Sequence, residues 1–249
     1  MAVNKFFAKD PSSEAALAAL REVMKKGKSK EQCACIDYLV RPIDPFKKKG
    51  CLQKKGCCGK GSVMTMDEYI QHVQDLVNRL NLKQRAIEKI GLDESQINEI
   101  PPVLITAFEF DGEGVYVQQE EGDIKGTFRS VSNKYKVTWI FFSNTQIYTY
   151  TYTLDTISDD RFELTRDFFY TDVTCIRTAH TVKEKIITRR DKGCRGCLKK
   201  PQYIHANIEW DTLQIVVPSD DYAFTCVTDD SIEQSIQAAK AMIREKKQA

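Results

Sequence analysis

Tyr135-Lys136-Val137-Thr138-Trp139-Ile140-Phe141-Phe142, then Ser143-Asn144, then Gln146-Ile147-Tyr148-Thr149-Tyr150-Thr151-Tyr152-Thr153 is the stretch that decides the fold. Its hydrophobic period is two. Val137, Trp139 and Phe141 alternate with Thr138, Ile140 and Phe142, and both sets are apolar enough for a strand buried on two sides. In the second run Tyr148, Tyr150 and Tyr152 fall on one face, with Thr149 and Thr151 on the other. A Ser-Asn turn between two such runs predicts a pair of antiparallel strands at the centre of a sheet.

The pattern continues downstream. Phe162-Glu163-Leu164 with Phe168-Phe169-Tyr170, then Asp172–Ile176 through a bulge, then Thr181–Thr188 read as strands. After a loop at 189–202, Asn207–Trp210 turns through Asp211-Thr212 into Leu213–Val217, and Ser219-Asp220-Asp221 leads into Tyr222–Cys226. The chain closes with an amphipathic helix near Ser231–Lys247. Asp230 and Glu233 have capping-box spacing, and Ile232, Ile236, Ala239 and Ile243 share one stripe.

Upstream, Val103–Phe110 is strand-like, with a turn at Asp111–Gly114, a short strand at Val115–Val117 and then a polar, Gly-containing loop. Before Pro101-Pro102 the period is helical. Helices are predicted at 12–26, at Asp67–Asn81 and at Lys83–Ile90, the last stopped by Gly91, and a short one opens at Asp93 and Glu94. The expectation is an α+β chain: a helical N-terminal region over 1–101, with a basic, Cys-rich loop at about 46–63, and a β domain with a C-terminal helix over 102–249.

Short antiparallel strands followed by an amphipathic helix resemble the pleckstrin-homology-like fold in its bacterial form. Phe169-Tyr170-Thr171-Asp172-Val173 looks like the aromatic-x-Asp-hydrophobic strand of that family. The paired runs Leu213–Val217 and Tyr222–Val227, leading into Asp229-Asp230-Ser231-Ile232-Glu233, add to the likeness. It covers residues 127–247, and the excursion at 181–202 is longer than a minimal domain of this type needs. The resemblance implies a curved antiparallel sheet or partial barrel capped by the last helix. It also implies a non-enzymatic module that binds peptides, proteins or lipid head groups.

Composition narrows the function classes. The 249 residues are 42% hydrophobic, and the net charge of +2 exerts no global pull on nucleic acid or membrane. No apolar run is long enough to span a bilayer, and Met1–Phe7 lacks the core of a signal peptide, so a cytoplasmic protein is expected. In that compartment the nine cysteines read as thiols or metal ligands before disulfides.

Cys194-Arg195-Gly196-Cys197 can aim two thiolates at one ion, which is half of a tetrahedral zinc site. Cys33 with Cys35, or Cys57 and Cys58 with Cys51, could complete it, and His205 is a further candidate ligand. Arg189, Arg190, Lys192, Arg195, Lys199 and Lys200 would favour thiolate. Thiol redox chemistry is the alternative, although this C-x-x-C lies between strands rather than at a helix start; unliganded loops are the plain alternative to both.

Lys47, Lys48, Lys49, Lys54, Lys55 and Lys60 make the first Cys-bearing loop basic, as Arg189, Arg190 and Arg195 make the second. Together they would bind an anionic ligand or an acidic protein; apart they are solvated loops. Nucleic acid is disfavoured because no stacking aromatics interleave with the lysines. A second copy of the chain is also an admissible partner. The Tyr148/Tyr150/Tyr152 face reads as packing in preference to a ligand platform. No nucleophile elbow, phosphate-binding loop or dinucleotide fingerprint is present, and no catalytic residue is nominated.

Overall fold

The computed structural model describes residues 14–40, 64–93, 101–121, 127–158, 160–190, 202–218, 220–226 and 230–248. Four helices come first: α1 (Glu14–Lys25), α2 (Lys30–Leu39), α3 (Met66–Asn78) and α4 (Leu82–Ile90). Helix α2 forms where the sequence was read only as a Cys-bearing segment. A capping box starts it: Ser29 Oγ accepts from the Gln32 amide, and the Gln32 side chain accepts from the Ser29 amide. Thr65 and Glu68 do the same for α3. Helix α4 ends, as its sequence predicts, at Gly91, whose φ of 74° is left-handed and suits a residue without Cβ.

Among the described residues nine strands follow: β1 (Val103–Phe108), β2 (Val117–Glu121), β3 (Phe128–Ser132), β4 (Lys134–Phe142), β5 (Gln146–Asp155), β6 (Arg161–Phe169), β7 (Cys175–Arg190), β8 (Gln202–Val217) and β9 (Asp220–Cys226). Helix α5 (Asp230–Gln248) comes last. The chain is therefore mixed α+β. The central pair appears as predicted, with Trp139 opposite Tyr150 and Ser143 turning the chain by accepting and donating around Gln146.

Tyr170-Thr171-Asp172, read as strand, is instead a turn after β6, closed by the Asp172 amide on the Phe169 carbonyl at 2.9 Å. Three further features differ from the expectation. The strands form two sheets, ordered β1-β4-β5-β6 and β3-β2-β7-β8-β9, and β2 runs parallel to β7, so the second sheet is not purely antiparallel. Second, the polar run Gln118-Gln119-Glu120, expected as loop, is strand β2 and is buried. Its Glu120 carboxylate is tied inside: Tyr38 Oη and Gln118 Nε2 both donate to Glu120 Oε1, at 3.2 and 3.0 Å, whereas Gln118 Oε1 and Gln119 Oε1 are buried with no partner among the described residues. Third, β7 and β8 are unbroken. Asp211-Thr212, read as a turn, lies within the ladder opposite His180 and Ala179, and the Thr212 hydroxyl donates to the Ala179 carbonyl at 3.2 Å.

The long β7–β8 pair changes the face it buries. Near its base Ile176, Leu213 and Ile215 enter the central core. Toward its far end the opposite face is buried, with Ile187 and Ile208 packed on Val117 and beside Phe110 and Trp210. Lys183 and Lys185 on that face hold Asp111 at 2.7 and 3.1 Å. These bonds, the Lys183 one foremost, hold the Asp111 carboxyl down to about 2.

The central core joins both sheets to α5: Val103, Ile105, Ile140, Phe142, Ile147, Phe168 and Phe224 meet Ile236, Ala239, Met242 and Ile243. Tyr170 fastens the end of β6 by donating to the Ser143 carbonyl at 2.8 Å and meeting Met242 Sδ. The helices α2 and α3 share a second cluster with Val131 and Ile157, and α4 covers Tyr150, Tyr152, Val137 and Phe141. Arg85 and Lys89 of α4 grip Glu163 of β6. Burial alone would raise the Glu163 pKa, but these two cations hold it below its ordinary value. Among the described residues no helix is long and apolar enough to cross a membrane.

A candidate ligand cleft on the threonine face

Alternation gives the first sheet two unlike faces. One is the tyrosine face. Tyr150 and Tyr152 are fully buried under α4, so that face is packing, and burial followed by the nearby Glu163 charge lifts the Tyr150 phenol to about 12. The other face carries Thr149, Thr151 and Thr153 of β5, with Lys134, Lys136 and Thr138 of β4 and Phe162, Leu164 and Arg166 of β6 beside them.

That second face divides along its length. At one end Ile140, Phe142, Ile147 and Phe168 belong to the central core. At the other end none of the described residues packs over the sheet, and a cleft of about 700 Å³ opens there. Thr151, Thr153, Leu164 and Arg166 form its floor; Ala223-Phe224 of β9 and the 109–114 segment bound it. Thr138 and Thr151 hydroxyls bond each other at 3.1 Å beside the floor.

Charge in the cleft is balanced and mostly held. Lys136 pairs with Glu109 at 3.2 Å, and Lys134 donates to the Glu113 carbonyl at 2.9 Å. Asp155 accepts from Asn133 Nδ2 and the Ile157 amide, both at 3.0 Å, and Asp160 accepts from Ser158. Such a site, with fixed polar groups, apolar side chains and a volume within the usual ligand range, can orient a small molecule or a short chain segment.

The residues singled out from sequence fall differently. Cys33 and Cys35 are both on α2, and two positions apart on a helix they point to opposite sides. Cys33 Sγ faces the Lys25 and Lys28 carbonyls at 4.0 and 3.9 Å. Cys35 is fully buried, and burial, with Glu31 adding to it, pushes its thiol up to about 12. The two do not converge on one ion, and among the described residues no group of three or more His, Cys, Asp and Glu side chains could hold a metal. We expect iodoacetamide to modify the exposed Cys175 in the native protein and Cys35 only after unfolding, read by peptide mass mapping. Equal native rates at the two would mean that α2 is not seated on the sheet.

Cys51, Cys57, Cys58, Cys194 and Cys197 lie outside the described residues, as do Lys47, Lys48, Lys49, Lys54, Lys55 and Arg195. Arg189 and Arg190 end β7 in register with Gln119 and Glu120. His205 pairs with Glu184 at 3.4 Å on the exposed face of the long hairpin, and His180 bonds Asp211 at 2.9 Å. The cleft residues Thr153 and Arg166 were not singled out. Their available signal was weak: threonines alternating opposite the tyrosines.

The fold and cleft together define a two-sheet α+β domain with an open site on one sheet face. No family model matches the chain, and neither a curated protein nor a solved structure is found to be similar to it.

Proposed function

We propose that the chain is a non-enzymatic binding module of the pleckstrin-homology-like type, with α5 as the helix that closes its β core and the threonine-face cleft as its ligand site. One observation carries this reading. Among the described residues, the same sheet face is core at one end and uncovered over about 700 Å³ at the other. A β surface left open beside a finished core is where such a domain can take a ligand without disturbing its own packing.

Protein-observed NMR with a library of small fragments tests it. Hits should move the resonances of Thr151, Thr153, Leu164 and Phe224. Thr153→Trp, which fills the floor, should abolish those shifts while changing stability by about 1 kcal/mol or less. Hits that map elsewhere, or that survive Thr153→Trp, would remove the cleft as the site.

A further inference from the structure

Arg166 lies where two cavities meet. It lines the 700 Å³ cleft, and it also lines a second hollow of about 500 Å³ with Thr165, Asp167, Asp172 and Tyr222. Its guanidinium carbon is 4.0 Å from the centre of the Tyr222 ring, which Phe168 supports from 4.9 Å. A guanidinium held over a ring face keeps N–H groups available at its edge. Among the described residues its side chain donates no hydrogen bond and meets no carboxylate, although the residue is half-buried. A half-buried cation held over a ring, with its donors unused at the wall of an open cleft, is prepared for a planar oxyanion.

The surroundings select among oxyanions. Lys134, Lys136, Arg161 and Arg166 in the cleft are matched by Glu109, Glu113, Asp155 and Asp160, and Asp167 and Asp172 line the second hollow. A phosphate group carries nearly two negative charges and would be repelled by these acids. A single carboxylate adds one charge and fits the fork edge to edge.

The rest of β6 indicates what carries the carboxylate. β6 is the last strand of its sheet, and among the described residues its outer edge has no strand beside it. Phe162, Leu164 and Arg166 alternate along it on the cleft side, and Phe162 is 57% exposed. Their spacing of two residues is the side-chain repeat of an extended chain. A strand paired along this edge would set every second side chain beside Phe162, Leu164 and Arg166 on the cleft face.

Resting on the cleft reading, we infer that the ligand is an extended polypeptide segment that pairs with the free edge of β6, sets apolar side chains on Phe162 and Leu164, and delivers an Asp or Glu carboxylate to Arg166. The recognised pattern is apolar-x-apolar-x-acidic, or its reverse, according to the direction in which the segment runs.

The test is selection of linear peptides from a phage-displayed library of random octamers on the full chain, followed by affinity measurement with synthetic peptides. Enriched sequences should carry that pattern. Arg166→Gln should weaken binding at least tenfold, with Arg166→Lys in between because it keeps the charge and loses the fork. Binding should also slow hydrogen exchange of the β6 amides that point away from β5. Thermal melts of both Arg166 variants check that they fold.

If peptides lose binding with Thr153→Trp but not with Arg166→Gln, or leave β6 exchange unchanged, the carboxylate assignment falls and the cleft reading stands. A library that gives no cleft-dependent binder also overturns it, as does competition by millimolar inorganic phosphate or by free succinate that matches the peptide. Binding indifferent to both Thr153→Trp and Arg166→Gln would remove the inference and the cleft reading together.

Discussion

Tyr69→Ala should lower the free energy of unfolding by about 3–5 kcal/mol, the range for truncating a large buried aromatic. Tyr69 is fully buried in α3. Its ring stacks on Tyr38 of α2 at 5.0 Å and on Phe108 of β1 at 6.1 Å, and Phe108 meets Tyr135 of β4 edge-on at 4.9 Å. Four rings thus join two helices to the first sheet. The hydroxyl donates to the Ser132 carbonyl at 2.7 Å and shares a bond of 2.8 Å with Thr156.

Truncation removes the rings' central member and also leaves these polar groups buried without their partner. Tyr69→Phe isolates the second effect, at about 1–3 kcal/mol. Urea unfolding followed by far- and near-ultraviolet circular dichroism measures both. A Tyr69→Ala loss under about 1 kcal/mol would mean that the helices are not held to the sheet through this residue.

The second large effect is expected at α5. Ala239→Asp should prevent folding, or cost several kcal/mol, because Ala239 is 1% exposed. It faces a small void of about 10 Å³ walled by Val103, Ile140, Phe142, Ile176, Leu213, Ile215 and Ile236. None of those side chains can hydrogen-bond a carboxylate, so the charge would be buried unpaired or the helix would leave. Gln234→Asp, on the exposed side of the same helix, is the control and should change stability by about 0.5 kcal/mol or less. Ala239→Val, which adds only carbon at the void, should stay within about 1.5 kcal/mol of the wild type. If Ala239→Asp melts like the wild type, α5 contributes nothing to the core.

Much of the architecture was legible because its signals are local. The period-two runs at Tyr135–Phe142 and Gln146–Thr153 became β4 and β5, and the apolar stripe Ile236, Ala239 and Ile243 became the buried side of α5. Gly91 ended α4 as its backbone freedom allows. The capping box Ser29-x-x-Gln32 is an equally local signal, and it starts α2 beside Cys33 and Cys35.

The cleft was much less legible. Thr149 and Thr151 could be put opposite the tyrosines, but nothing in the sequence tells that one end of their face is core and the other open. That depends on where β9 lies relative to the first sheet. Arg166 and Tyr222 meet only through this packing, and an arginine in a strand carries no mark of a stacked, unpaired guanidinium.

By itself, then, the sequence determined the element types, the α+β class and the inward face of the strands and of the last helix, because alternation and capping act between residues a few positions apart. Only the tertiary structure decided the rest. It made a strand of Gln118-Gln119-Glu120, where Tyr38 and Gln118 hold the Glu120 carboxylate inside while Gln118 Oε1 and Gln119 Oε1 stay buried with no partner among the described residues. It carried β8 straight through Asp211-Thr212, where ladder bonds to β7 outweigh turn propensity. It also set β2 parallel to β7 and left one half of the threonine face open, since sheet pairing and burial are settled between residues far apart in the chain.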